Sequence, residues 1–290
     1  MHHVLTLVAA PEAPLTPARL ARLRDAARAA APILLAPGIA ADLPCPTPPD
    51  PAQIAAAIGD APIDWAILPA QGRQKQLLIA DMDSTIVTGE TLDELAAEAG
   101  LDAQVAAITQ QSMEGRLDFA QALRARVAML RGLDLAALER TWQGVRLSPG
   151  ARTLVATMRA HGARCALVSG GFTFFTARVA ALCGFDTHQA NTLLDDGAAL
   201  TGAVAEPILD RDAKRAALHR LAAAWHTPLA ATLAIGDGAN DLAMIEDAGL
   251  GLAYHAKPIA AAAADAQIRF TDLTTALYFQ GYHATQLTHP

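Results

Sequence analysis

Lysine is nearly missing from this chain. It occurs only at Lys75, Lys214 and Lys257, and arginine carries the rest of the positive charge. Basic residues as a whole are outnumbered, 22 Lys and Arg against 29 Asp and Glu, for a net charge of -7. A chain without a basic excess lacks the surface that nucleic acid or an anionic membrane would need. Cysteine is also scarce. Cys45, Cys165 and Cys183 are odd in number and widely spaced. That fits reduced thiols in a cytoplasm better than a disulfide framework or a zinc site. No apolar run approaches the roughly 18 residues that a spanning helix requires. The opening MHHVLTLVAAPEAP has neither a basic leader nor a long apolar core, so no signal peptide is read there. The expected location is the cytoplasm.

What is present is apolar. Hydrophobic residues make up 52% of the 290 positions, enough for a large core and too many for disorder. The length suits about two domains. Residues 1–74 read as a small α/β unit. His3–Ala9, Pro32–Leu35 and Trp65–Leu68 are strand-like. Thr16–Ala30 and Ala52–Ile58 are helix-like, with Thr16 as N-cap and Pro17 as the first helical residue. The proline-rich CPTPPDP at 45–51 breaks this unit, and the polar QGRQKQ at 71–76 reads as a linker. Residues 88–146 carry helical but no strand pattern. Thr91 with Glu94 matches a capping box, and Gly100 is a helix stop. From residue 147 onward strands and helices alternate. Cys165–Ser169 and Thr232–Gly236 are strands; Leu154–Arg159, Phe174–Leu182, Lys214–Ala224 and Leu242–Ala248 are helices. Asp195-Asp196-Gly197 sits at a hairpin turn. The expected fold class is α/β: a doubly wound parallel-sheet core (75–87 and 147–290), a small helical cap insert (88–146) and an N-terminal small α/β domain (1–74).

Three strands of the core end in polar residues. Leu77-Leu-Ile-Ala80 runs into Asp81 and Asp83. Cys165–Ser169 is followed by Gly170 and Gly171. Thr232–Gly236 runs into Asp237, Gly238, Asn240 and Asp241. Ligands bind beyond the carboxyl ends of strands in open α/β sheets, so these ends share a site. A phosphomonoester dianion repels a carboxylate nucleophile. A hard divalent cation held by a few carboxylates, together with a lysine and backbone N–H groups, offsets that repulsion. A leaving alkoxide needs a proton donor. Each part taken alone has a plain reading: D-x-D as a turn or helix cap, Ser-Gly-Gly as a helix entry, Lys214 as a solvated residue. A calcium loop is the rival reading of Gly236–Asp241, but it lacks alternating acidic spacing. Together and in this order the parts point to metal-assisted phosphate chemistry.

The motifs DMDST, SGG, Lys214 and GDGANDLAMIEDAG resemble the four motifs of the haloacid dehalogenase superfamily. IVTGETLDELAAEAG, MEGRLDFAQALRARVAML, ANTLL, LTG and GLGLAYHAKP narrow the likeness to its phosphoserine phosphatase family, over roughly residues 77–280. The resemblance implies a haloacid dehalogenase-like fold and Mg2+ as cofactor. It implies Asp81 as nucleophile, Asp83 as acid and base, and Lys214 as the charge that steadies both Asp81 and phosphate. Ser169, Gly170 and Asn240 would serve the phosphate side. Asp81, the Asp83 carbonyl and Asp237 would hold the metal, with Asp241 behind them. Glu90 would meet the substrate ammonium and Arg126 its carboxylate, and Met113 and Phe119 would wall the cap. Arg126 also has a plain reading as surface charge, with Arg124 and Arg131 close by. Thr85 is read as capping the turn after Asp81 or bonding the phosphate loop. The implied activity is hydrolysis of O-phosphoserine through an aspartyl-phosphate, the last step of serine synthesis. Phosphohomoserine, phosphothreonine and transfer to an alcohol stay open, because one methyl group is worth only about 1–3 kcal/mol of discrimination. The partner is a small-molecule substrate; a homodimer is left open. Residues 1–74 are either an amino-acid-binding or dimerising module or a structural domain without a ligand.

Overall fold

The computed structural model describes residues 2–113 and 118–290. Its first layer is a four-stranded antiparallel sheet in the order β2-β3-β1-β4. The strands are β1 (His3–Ala9), β2 (Ile33–Ala36), β3 (Ala40–Cys45) and β4 (Ile63–Pro69). Helices α1 (Pro17–Ala27) and α2 (Pro51–Ile58) cover one face. Both start on a side-chain cap followed by proline: Thr16 accepts from the Arg19 N–H and Asp50 from the Ala52 N–H, which satisfies donors that a helix start leaves free. Alternation along β1 divides its side chains between two cores. Leu5 and Leu7 pack under the helices with Leu20, Leu23 and Ile54. Val4 and Val8 turn the other way and join the main core with Leu68 and Leu78.

QGRQKQ is not a loose linker. Arg73, in its middle, is 11% exposed at the side chain. Its guanidinium donates to Asp42 at 2.5 Å, to the Thr6 hydroxyl at 2.8 Å, and to the carbonyls of Tyr278 and Phe279 at 3.2 and 3.1 Å. Asp64 of β4 adds a second fastening, accepting the N–H groups of Arg269 at 2.8 Å and Thr271 at 3.0 Å. Buried charge with this many partners is held rather than solvated, which composition alone could not reveal.

The second sheet has six strands in the order β12-β11-β10-β5-β6-β7, all parallel. It is the doubly wound sheet anticipated from the alternation. Strand β5 (Leu77–Ala80) leads into the insert: α3 (Thr91–Glu98), α4 (Asp102–Met113), α5 (Phe119–Met129) and α6 (Ala136–Gly144). The chain returns through α7 (Ala151–Ala160), β6 (Arg164–Phe172), α8 (Thr173–Cys183) and β7 (Thr187–Asn191). A hairpin, β8 (Leu193–Asp195) and β9 (Leu200–Val204), precedes α9 (Arg211–Ala224) and β10 (Thr232–Gly236). Then come α10 (Leu242–Asp247), β11 (Gly251–Tyr254), α11 (Pro258–Ala263), β12 (Ala266–Ile268) and α12 (Thr275–Phe279). Among the described residues no helix is long and apolar enough to cross a membrane.

The capping box expected at Thr91 and Glu94 does not form. Glu90 is the N-cap of α3, Thr91 is its first residue, and the Glu90 side chain makes no cap hydrogen bond. The Thr91 N–H is taken up by Asp83 instead. A full capping box occurs at α5, between Asp118 and Gln121. Gly100, at φ +68°, follows α3 as the expected stop. The register Ile235↔Ala80 sets the ends of β10 and β5 level, so Asp81 and Asp237 emerge side by side. Ala80↔Leu167 brings Ser169 to the same edge.

Candidate active site

Four segments meet at the carboxyl edge of the parallel sheet. Asp81 leaves β5 with its Oδ1 accepting the Met82 N–H at 2.8 Å. Lys214 reaches over from α9 and donates to the same Oδ1 at 2.7 Å and to Asp241 Oδ1 at 2.6 Å. Its side chain is 1% exposed, so the solvated-helix reading of Lys214 fails. Asp241 Oδ2 accepts the N–H groups of Asp237 and Gly238 at 3.2 and 3.1 Å. Both Asp241 oxygens are therefore engaged, one by Lys214 and one within the loop. The Asp237 N–H is used in this way, and its carbonyl accepts the Lys257 N–H at 2.9 Å.

Asp81, Asp237 and Asp241 each offer a carboxylate oxygen within 4.8 Å of the others, and all three are buried. Packing carboxylates this way is costly. Burial, then repulsion from Asp241, pushes the Asp81 carboxyl well above its ordinary range, against the pull of Lys214. Burial and Asp241 push Asp237 up to about 6. Burial disfavours the charge on Lys214, but Asp241 and Asp81 outweigh it and raise its pKa. One ammonium against three carboxylates leaves excess negative charge in a dry place. Oxygen donors with such an excess are what a hard divalent cation requires, so the donor set fits a metal.

Asp83 points away from this cluster. Its Oδ1 accepts the Thr91 N–H at 3.0 Å, and its Oδ2 lies 3.5 Å from Ser169 Oγ. Burial, followed by repulsion from Glu90, pushes its carboxyl up to about 7, and the Thr91 hydrogen bond holds it back. Ser169, at the end of β6, accepts the Gly171 N–H at 2.9 Å. A Cβ on Gly171 would stand 2.6 Å from Asp83 Oδ2, so only glycine lets the loop and the acid come this close. The Gly170 carbonyl accepts from Asn191 Nδ2 at 2.8 Å.

The insert closes over these groups. The Phe119 ring, at the start of α5, rests against Gly170, where a Cβ would be 3.0 Å from its Cζ. Glu90 accepts from Ser84 Oγ at 2.7 Å. Arg126 is half-buried. Burial lowers its pKa, opposed by the nearby carboxylates Asp93 and Glu90. Arg124, by contrast, makes an exposed pair with Glu206 at 2.7 Å, so the surface-charge reading suits Arg124 and not Arg126. Asn240 is partly buried on the Gly238 turn. Met113 ends α4, but its side chain lies outside the described residues. Thr85 neither caps a turn nor bonds the loop: its hydroxyl is buried and has no partner among the described residues.

Three contributors carry no plain sequence signal. Asn191 is 2% exposed and ties β7 to the Ser169 loop while accepting the Leu209 N–H at 2.7 Å. Ser84 and Thr91 bond Glu90 and Asp83 as described. Asn191 stands in ANTLL at a strand end, the one hint available. A separate open cleft of about 450 Å³ lies between α2, β4 and β12, but it shares no residue with the acidic cluster.

Residues 78–246 match the haloacid dehalogenase-like hydrolase family. A phosphoserine phosphatase of Streptomyces coelicolor is 44% identical over 229 residues, covering 78% of this chain and 55% of the relative. A phosphoserine phosphatase of Idiomarina loihiensis is 41% identical over 197 residues, covering 68% of this chain and 90% of the relative. The chain spans about half the length of the longer curated relatives that it matches. Among solved structures, a probable phosphoserine phosphatase from Vibrio cholerae superposes with a TM-score of 0.82 at 30% identity, covering 98% of this chain and 88% of that one. With a matched model over more than half its length and this architecture, the chain belongs to the haloacid dehalogenase-like hydrolase family.

Proposed function

We propose that this protein is a Mg2+-dependent phosphoserine phosphatase acting through an aspartyl-phosphate on Asp81, as the last step of serine synthesis. The observation that carries the reading is the buried Lys214, bonded at once to Asp81 and Asp241 beside a buried Asp237. A binding protein would have no use for that expensive arrangement. The named activity of the relatives supports the substrate.

The chain's own groups divide the work as follows. Asp81 Oδ1 is occupied by Lys214 and Met82, which leaves Oδ2 to attack phosphorus. As the P–O bond to serine breaks, its electron pair goes to the serine oxygen, and Asp83 gives that oxygen a proton. Asp83 then takes a proton from water as the water oxygen attacks phosphorus. The bond from phosphorus to Asp81 breaks, restoring the carboxylate and releasing phosphate. An acid near neutrality suits both half-reactions, which matches the environment of Asp83. Ser169, the Gly170 amide and Asn240 hold phosphate oxygens, and Asn191 fixes the loop that presents them. Asp81, the Asp83 carbonyl and Asp237 would hold Mg2+, with Asp241 orienting Lys214; the cation supplies charge neutralisation between nucleophile and phosphate.

Glu90 faces the substrate ammonium and Arg126 its carboxylate. The mutual influence of Glu90, Asp93 and Arg126 supports placing opposite charges on one side of the pocket. Phe119 covers the phosphate loop, and Met113 belongs to the same wall. We take 88–146 as the cap, 75–87 with 147–290 as the core, and 1–74 as a small domain docked through Arg73. The three cysteines are free and buried, which suits a cytoplasmic protein. The test is phosphate release from O-phosphoserine with Mg2+ and with EDTA, beside phosphothreonine and phosphohomoserine. Mg2+-dependent release favouring phosphoserine is expected; equal rates on all three would leave only a small-phosphomonoester phosphatase.

A further inference from the structure

Ser84 holds a backbone conformation that its side chain does not favour. Its φ is 53° and ψ is 5°, the left-handed region that serine enters at a cost. Strain of this kind persists where neighbours over-determine it, and it gathers at functional sites. Here the neighbours are visible. The Ser84 N–H donates to the Gly89 carbonyl at 3.0 Å, the Ser84 hydroxyl to Glu90 Oε1 at 2.7 Å, and the Thr91 N–H to Asp83 Oδ1 at 3.0 Å. Three bonds thus fold residues 89–91 back onto residues 83–84. Glu90 itself is exposed, so packing does not fix its carboxylate, and a free glutamate side chain would spread over several rotamers. The serine hydroxyl is the group that selects one.

We propose that Ser84 is a positioning residue for substrate selection: its hydroxyl occupies one Glu90 oxygen and leaves the other aimed at the ammonium group of an amino-acid phosphate. This rests on the reading of Glu90 given above. Through Ser84 the segment that carries the acid–base Asp83 also sets the group that recognises the amine. Specificity is then built into the turn after the nucleophile as well as into the cap.

The test uses the full chain with three substrates. O-phosphoserine carries ammonium and carboxylate, O-phosphoethanolamine only the ammonium, and 3-phosphonooxypropionate only the carboxylate. Ser84→Ala removes the hydroxyl. Ser84→Gly removes it and also relieves the strain, so it serves if the alanine variant folds poorly. Both should lose about tenfold in kcat/KM on the two ammonium substrates, chiefly through KM, as expected for losing a hydrogen bond to a charged group. The loss on 3-phosphonooxypropionate should be at least about fivefold smaller. In a Glu90→Gln background, adding Ser84→Ala should cost far less than it does alone, since both changes remove one interaction. Equal losses on all three substrates, or full additivity with Glu90→Gln, would overturn the proposal while leaving the phosphatase reading intact. A wild-type enzyme with no preference for phosphoserine over 3-phosphonooxypropionate would remove the role of Glu90, and this inference with it.

Discussion

Replacing Lys214 with methionine keeps the volume and removes the charge that two buried carboxylates share. The wild-type ammonium donates at 2.7 and 2.6 Å to Asp81 and Asp241, whose side chains are 5% and 0% exposed. Taking away one partner of a buried ion pair costs about 3–5 kcal/mol, because the remaining charge stays desolvated. For a chain of this size each kcal/mol lowers the melting midpoint by roughly 2–4 °C, so a drop of about 10 °C is expected in EDTA at pH 8. The loss should depend on pH in a defined direction. Asp81 already titrates above its unfolded value, and without Lys214 it is pushed higher. A carboxyl whose folded pKa is raised contributes stability that is present at low pH and disappears as pH rises through that value. The deficit of Lys214→Met should therefore shrink as pH falls and Asp81 takes up a proton, and grow as pH rises. Activity should fall by about 10²–10³-fold, the usual cost of a lost electrostatic contact to the reacting group. Thermal melts from pH 5 to 8 check this directly. A deficit below about 1 kcal/mol at pH 8, or one that does not vary with pH, would refute the claim that Lys214 offsets buried charge.

Other expectations follow from the same geometry. Asp83 is pushed up to about 7, and an acid must hold its proton to protonate the leaving oxygen, so kcat/KM for phosphoserine should decline as pH rises above about 7. Asp83→Asn should run about 10²–10⁴-fold slower and lose that limb; an unchanged profile would remove Asp83 from proton transfer. Arg126→Ala should hurt phosphoserine far more than p-nitrophenyl phosphate, which has no carboxylate to read. Similar losses on both would mean that Arg126 supports the cap only.

Much of the site could be read from the chain because its chemistry-bearing residues stand where strands end. Asp81, Ser169 and Asp237 each follow an apolar run, and a parallel sheet brings such ends together whatever their separation in sequence. Lys214 stood out by scarcity and by resemblance, yet its burial could not be known before the helix was placed. The hydrogen bonds of Ser84, Thr91 and Asn191 were not legible, because they depend on backbone direction rather than residue type. Thr91 shows this well: its capping-box spacing is intact, but Asp83 takes its N–H first. Four strands, β3, β7, β11 and β12, carry no strand reading in the sequence, and for two of them the reason is plain. AADLPC in β3 is buried nearly throughout and carries a proline, so it does not alternate. THQAN in β7 lies at the sheet edge, and its largely polar sequence carries no strand pattern. QGRQKQ looked like a linker because composition cannot show that Arg73 has four acceptors waiting.

The central claim is that the Asp81 carboxylate captures phosphorus. The Asp83→Asn variant, incubated with phosphoserine and Mg2+ and quenched in acid, should retain one phosphoryl group on the peptide containing Asp81, and hydroxylamine should release it as it does other acyl phosphates. Asp81→Asn should carry none. Turnover by Asp81→Asn at a substantial fraction of the wild-type rate, or a phosphoryl group found on a different residue, would contradict the account.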